Sequence, residues 1–362
     1  MAEFKKIGIL TSGGDAPGMN AVIRAVTRKA LKQGVEAVGI IGGYSGLIND
    51  KIIPLTTTTV SNIITNGGTM LYSDRCDEFR TEEGMKKAID TCKKHGIEAI
   101  IAIGGDGTFR GATDLALHGI PTIGVTGTID NDITATDYTV GFDTAMNTVL
   151  DVLDKLRDTC ESHARCNVVE VMGRDCGQIA LRAGIAAGAM AVAVPEMPFN
   201  EEAVIEKIKF AKKKAKRGML IVVSEGVFTT DENGKKVPYG EVLKERIEKE
   251  TGIETKFARL AHIVRGGSPT VRDRVTASLM GVKAIDLLLE GKSNLVVIKD
   301  EYEITSMDIV FALTVDRMYK NKLKDGDLDK FSEEDIERMR KICNRRRAEI
   351  NELYSVINDL AL

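Results

Sequence analysis

Gly104-Gly105-Asp106-Gly107 follows the apolar run Ile97-Glu98-Ala99-Ile100-Ile101-Ala102-Ile103 and precedes a helix-compatible stretch from Thr108 to Leu117. A strand that ends in glycines and opens a helix aims backbone N–H groups and a helix N-terminus at an anion. Glycines let phosphate oxygens approach the backbone closely. A carboxylate in such a cradle would be repelled by the phosphates unless a divalent cation lay between them. Asp106 therefore reads as a magnesium ligand in a nucleotide site.

Other loops add chemistry. Thr11 to Asn20, with Gly13 and Gly14, also joins a strand to a helix. It lacks the Lys-Ser/Thr ending of a P-loop, and no G-x-G-x-x-G follows a strand. Alone it reads equally as a phosphate loop or as an ordinary glycine-rich turn. Gly127-Thr128-Ile129-Asp130-Asn131-Asp132 sets two carboxylates two residues apart, beside a hydroxyl and an amide. Asp130 fits a general base and Asp132 a supporting role toward the metal, although an Asx-turn with capping aspartates has the same composition. Arg75, Arg165, Arg174 and Arg265 stand beside strand ends, and arginine suits bidentate phosphate recognition. Arg265 lies within His262-Ile263-Val264-Arg265-Gly266-Gly267-Ser268-Pro269, where glycines permit close anion approach. Lys207 to Arg217 carries seven basic residues, either a solvated helix face or an anionic effector site.

Alternating elements must position these loops. Strands are expected at Lys6–Leu10, Glu36–Ile41, Glu98–Ile103, Thr122–Thr126, Asn167–Met172, Met190–Val194, Met219–Ser224 and Asn294–Lys299. Helices are expected at Ala21–Gln33, Glu82–His95, Ala145–His163, Gln178–Ala187, Glu201–Lys216, Gly240–Thr251 and Arg272–Glu290. Near-continuous apolar strands joined by helices imply parallel sheets covered on both faces. The polar loops fall at the carboxyl ends of strands, where such sheets bind ligands. Thr229 to Tyr239 reads as a surface hairpin or loop, and Lys330 to Leu360 as a charged helix capped at Ser332-Glu333-Glu334-Asp335.

The 362 residues suffice for about two domains. Fifty Lys+Arg against 53 Asp+Glu argue against nucleic acid as the main partner. No apolar run is long enough to span a bilayer. The six cysteines, without metal or Cys-x-x-Cys spacing, read as free thiols in a reducing cytoplasm.

Together Gly8–Arg28, Gly67–Thr69 with Arg75, Ala102–Thr108, Gly127–Asp143, Asn167–Gly177, Ser224–Glu225 and Ala261–Pro269 closely resemble the phosphofructokinase family, almost continuously from Ile7 to about Gly291. The resemblance implies phosphorylation of fructose 6-phosphate to fructose 1,6-bisphosphate with Mg2+. It implies an α/β fold of two doubly wound, mainly parallel-sheet, Rossmann-like domains with the active site in the cleft between them. The expected division is 1–140 plus about 265–305, binding nucleotide, and about 141–264 plus 306–362, binding sugar phosphate and carrying a C-terminal helical extension.

Carried over by position, the ATP site falls on Gly14, Tyr44 (beside the adenine), Arg75, Cys76, Gly105, Asp106, Gly107 and Thr108, with the metal at Asp106. The base falls on Asp130, within a sugar-binding turn of Thr128, Ile129 and Asp130, with Asp132 in support. Arg174 matches the arginine that neutralises the transferring group, and Met172 and Gly173 line the sugar. Glu225, His262 and Arg265 match residues holding the sugar phosphate. Arg165, and Lys256 in place of a second arginine, match groups donated by a neighbouring subunit, which implies a homotetramer.

Pyrophosphate-dependent relatives carry Asp where Gly107 stands and Lys where Gly127 stands, so the resemblance favours ATP, and Tyr44 would stack on its ring. Lys256 loses a bidentate fork, so weaker sugar-phosphate affinity, or help from Arg259, is expected. Tyr72 and Asp74 replace small residues before Arg75. The effector site keeps Arg24, Arg28, Arg157, Lys214 and Lys216, but Thr57, Asn62 and Met190 replace an arginine, an aspartate and a glutamate. At roughly 1–3 kcal/mol each, those losses predict a reduced, absent or redirected response to ADP and phosphoenolpyruvate.

Overall fold

The computed structural model describes residues 4–231 and 233–360. In chain order its elements are β1 (Lys6–Thr11), α1 (Met19–Lys32), β2 (Glu36–Ile40), α2 (Gly43–Ile48), β3 (Ile52–Leu55), α3 (Glu82–His95), β4 (Ala99–Gly104), α4 (Asp106–Leu117), β5 (Thr122–Thr126) and α5 (Phe142–Ser162). There follow β6 (Cys166–Val171), α6 (Gln178–Ala186), β7 (Ala191–Ala193), α7 (Glu201–Lys213), β8 (Met219–Ser224), β9 (Phe228–Thr230), β10 (Lys236–Pro238) and α8 (Tyr239–Thr251). The chain ends through β11 (Thr255–Arg259), α9 (Val271–Leu289), β12 (Leu295–Asp300), β13 (Glu303–Asp308), α10 (Ile309–Tyr319) and α11 (Glu333–Leu360).

These elements form two compact units. The first runs to Ile129 and takes in Ile133–Thr144 and Arg265–Cys343; the second comprises Asp130–Asp132, Ala145–Val264 and the chain from Asn344. The first unit holds a seven-stranded sheet, ordered β13-β12-β5-β4-β1-β2-β3. Its inner strands are parallel, and the edge strands β3 and β13 run antiparallel to their neighbours. β4 and β5 are buried at every residue, as expected of parallel strands covered on both faces.

The second unit holds a four-stranded parallel sheet, β11-β6-β8-β7. Where a surface hairpin or loop was expected, β9 and β10 pair antiparallel. At the start of α11, Ser332 Oγ accepts the Asp335 N–H at 3.1 Å while the Ser332 N–H reaches Asp335 Oδ2 at 3.3 Å. That is the reciprocal cap expected from the sequence.

The division differs from expectation over 306–343, which joins the first unit, not the second. β13 pairs with β12 along its whole length. Phe311, Ala312 and Val315 of α10 and Met339 and Cys343 of α11 bury in one apolar cluster with Phe109, Leu115, Val296 and Ile298. No helix among the described residues is long and apolar enough to cross a membrane.

Candidate active site

In the first unit the adjacent strands β5, β4 and β1 release their carboxyl ends into the loops singled out above. Short bonds tie these loops together. The Ser12 N–H donates to the Ile103 carbonyl at 3.0 Å and the Gly127 N–H to the Gly104 carbonyl at 2.9 Å. Thr108 Oγ1 donates to the Ser12 carbonyl, also at 3.0 Å. Packing accounts for some of the glycines. A Cβ at Gly104 would fall 2.4 Å from the Ser12 carbonyl oxygen, whereas one at Gly14 would meet only the guanidinium end of the Arg265 side chain. Gly105 and Gly107 differ. Neither has left-handed backbone; a Cβ at Gly105 would meet only Thr128 Cβ, 4.0 Å away, and one at Gly107 would meet nothing within 4 Å. Neither conformation nor packing demands glycine there, and the space is open to a ligand.

Asp106 lies between them at the start of α4. Its Oδ2 accepts from Arg110 Nη2 at 2.5 Å, while its Oδ1 is buried without a hydrogen-bond partner. Burial pushes the carboxyl pKa up, against the pull of Arg110. An orphaned buried carboxylate oxygen fits a cation ligand. No cluster of three or more His, Cys, Asp or Glu suited to a metal exists among the described residues. A hard cation at Asp106 would therefore take its other ligands from water and from a bound anion.

Tyr44 departs from expectation. Its ring is 5 % exposed, stacks on Phe79 with centroids 4.2 Å apart, and donates Oη to the Thr108 carbonyl at 2.5 Å. A Cβ at Gly111 would lie 2.7 Å from two of its ring atoms. So enclosed, the ring has no free face for a purine. It anchors the first turn of α4 instead. Arg75 is exposed, Cys76 packs half-buried against the core, and Arg265 Nη1 donates to the Asp15 carbonyl at 3.2 Å. Thr128 and Ile129 are buried, and the Thr128 carbonyl accepts from Thr139 Oγ1 at 2.6 Å. Asn20, which the sequence did not single out, is buried and accepts the Met70 N–H at 2.7 Å while donating to the Asn66 and Gly67 carbonyls.

In the second unit the turn Asp130–Asp132 meets Arg174. Arg174 Nε lies 3.7 Å from Asp130 Oδ2 and its Nη1 3.9 Å from Asp132 Oδ2. Asp130 is 2 % exposed whereas the arginine side chain is largely in solvent, so one exposed guanidinium lies near two more enclosed carboxylates. Glu225, after β8, pins the loop after β6 by accepting the Gly173 N–H at 3.2 Å and the Arg174 N–H at 2.9 Å. Arg174 needs that support, because its φ of 52° is left-handed. Met172 and Gly173 are buried beside it.

Arg165 Nε and Lys256 Nζ converge on Glu254 at 2.7 and 2.8 Å. Arg165, foremost, pulls the Glu254 carboxyl down to about 2. Arg259 is committed to Glu170 at 2.5 Å, and His262 is exposed. Of the effector candidates, Arg24 Nε and Arg157 Nη2 are buried without hydrogen-bond partners. Arg28, Lys214 and Lys216 are exposed, and Met190 is buried in the apolar core.

A family model described as phosphofructokinase matches residues 6–288. The chain is 54 % identical over 294 residues to an ATP-dependent 6-phosphofructokinase of Shouchella clausii, an alignment covering 81 % of this chain and 89 % of that protein. It is 51 % identical over 320 residues to ATP-dependent 6-phosphofructokinase 1 of Clostridium perfringens, covering 88 % and 97 %. Among solved structures it is similar to a phosphofructokinase of Saccharomyces cerevisiae, with a TM-score of 0.79 at 31 % identity. That match covers 90 % of this chain but only 47 % of the yeast chain, so the chain spans about half the length of that relative.

Proposed function

The chain belongs to the phosphofructokinase family, and we propose that it transfers the terminal phosphoryl group of ATP to the 1-hydroxyl of fructose 6-phosphate, giving fructose 1,6-bisphosphate and ADP. The observations that carry the donor assignment are the open space at Gly105 and Gly107 and the orphaned buried Oδ1 of Asp106 between them in sequence. Backbone N–H groups at the start of α4 suit a polyphosphate, and Asp106 would hold its magnesium. When bound, the ion withdraws charge from the donor phosphates.

Asp130 takes the proton of the attacking hydroxyl as the new O–P bond forms and the bond to ADP breaks. Arg174 neutralises charge on the moving phosphoryl group, and its seat is set by Glu225. Thr128, Ile129, Met172 and Gly173 shape the sugar subsite, while Glu225, His262 and Arg265 hold the sugar phosphate. Arg75, Cys76, Gly14 and Thr108 hold the nucleotide, and Asp132 takes a supporting role toward the metal. Arg165 and Lys256, joined through Glu254, act together as the pair donated to a neighbouring subunit of a homotetramer. The reaction belongs to glycolysis in the cytoplasm.

Purified protein offered ATP or pyrophosphate with fructose 6-phosphate tests the reading directly. Turnover with ATP and none with pyrophosphate is expected; the reverse overturns it. Two variants probe the parts. Asp106→Asn should raise the magnesium concentration for half-maximal activity about ten- to a hundred-fold, measured by titrating the metal at fixed ATP. Glu225→Gln keeps one acceptor but loses charge-assisted bonds worth about 1 kcal/mol more than neutral ones. The expected outcome is roughly a five-fold lower kcat, read from saturation curves.

A further inference from the structure

The turn that carries Asp130 and Asp132 is clamped from outside the region that the family model spans. Asn131, at its centre, has a φ of 48°, a backbone state that a non-glycine residue keeps only where its surroundings impose it. Arg346 of α11, only 6 % exposed, donates Nη2 to the Asn131 carbonyl. Its Nη1 donates to Glu349 Oε2 at 3.1 Å. Glu349 also accepts from Gln178 Nε2 at 3.1 Å and from Arg182 Nη2, both on α6. Cys176 Sγ, two residues before α6, lies 3.9 Å from the same Asn131 carbonyl.

A buried guanidinium is tolerable only when neutralised, and Glu349 supplies the charge. The order of support therefore runs from α6 through Glu349 to Arg346 and on to the Asn131 carbonyl, with a carboxylate on either side of it. α11 also buries Ile350 and Ile357, whereas the apolar cluster that holds Val168, Ile221 and Val223 of the four-stranded sheet includes no residue of α11.

We propose that Arg346 is a positioning residue for phosphoryl transfer: by fixing the Asn131 carbonyl it aims Asp130 and Asp132, and α11 thereby sets the turnover rate. The proposal rests on the reading of Asp130 as the base. Misplacing a reacting group by about an ångström can lower the rate on the order of a hundred-fold. Arg346→Met should therefore reduce kcat by roughly ten- to a hundred-fold, while the KM for ATP and the melting temperature stay near their original values. Arg346→Lys, which can still reach the carbonyl through one ammonium, should recover part of the loss. Glu349→Gln should shift kcat in the same direction by less.

Asp130→Ser, assayed alongside, separates the two claims. If Asp130→Ser is inactive and folded Arg346→Met turns over normally, the positioning role is rejected and the base survives. If Asp130→Ser keeps its kcat, the base reading itself is rejected. A joint fall of kcat, ATP affinity and melting temperature in Arg346→Met assigns the arginine a purely structural role and also rejects the proposal. Should Arg346→Met fail to fold, normal kcat in folded Arg346→Lys and Glu349→Gln overturns it.

Discussion

Asp130→Ser is expected to lower kcat by about three orders of magnitude, within the range contributed by a positioned general base, with little change in either KM. The side chain is 2 % exposed, and its Oδ2 lies 3.7 Å from Arg174 Nε. Serine keeps the volume small and leaves an oxygen in place, but it cannot accept the hydroxyl proton. The turn should survive, because its neighbours are held through backbone carbonyls: Thr128 by Thr139 and Asn131 by Arg346. Steady-state kinetics with circular dichroism checks both halves of the statement. A kcat within ten-fold of the original would show that some other group takes the proton.

The sheets were largely legible before any coordinates, and the reason is physical. A strand buried on both faces has to be apolar and β-branched throughout, so β4, β5, β6 and β8 stand out as runs. Helix α3 was legible at both ends because its stops are local: Thr81 Oγ1 accepts the Gly84 N–H, and Gly96 takes a left-handed φ of 66°. Three of the edge strands lack such a signature. β3 is only four residues long and contains Pro54, β11 reads TKFAR, and β13 buries only Met307 fully. Missing β13 also misplaced the chain from 306 to 343.

The loops of the site were legible as residue types, but their environments were not. Tyr44 looks like a stacking ring by position, yet Phe79 lies more than thirty residues away in sequence and covers it. Gly127 is a second case. Its absent Cβ would sit 3.2 Å from Ile103 Cγ2 and 3.4 Å from Met19 Cε, so core packing also bears on the residue there. Of the two glycines, the open position at Gly107 bears most directly on the donor. Arg346 could not have been found at all, because an arginine in a charged helix carries no local sign that it is buried.

Gly107→Asp isolates that argument. Position 107 is the second residue of α4, its φ is not left-handed, and a Cβ there meets nothing within 4 Å. An aspartate can therefore be built without strain, and an acid in the first turn favours the helix dipole by about 0.3–1 kcal/mol. The melting temperature should hold or rise slightly. Binding of ATP should not survive so well. One added negative charge about 4 Å from a phosphate charge costs about 4 kcal/mol at an effective dielectric of ~20. That corresponds to roughly three orders of magnitude in kcat/KM for ATP. Gly107→Asn, nearly the same shape without the charge, should lose far less, which separates repulsion from bulk. If both variants fell equally, the hollow would be filled sterically and charge would not decide the donor. If Gly107→Asp used ATP as well as the original protein, the nucleotide phosphates would have to lie elsewhere, and the reading of the glycines around Asp106 would fail with them.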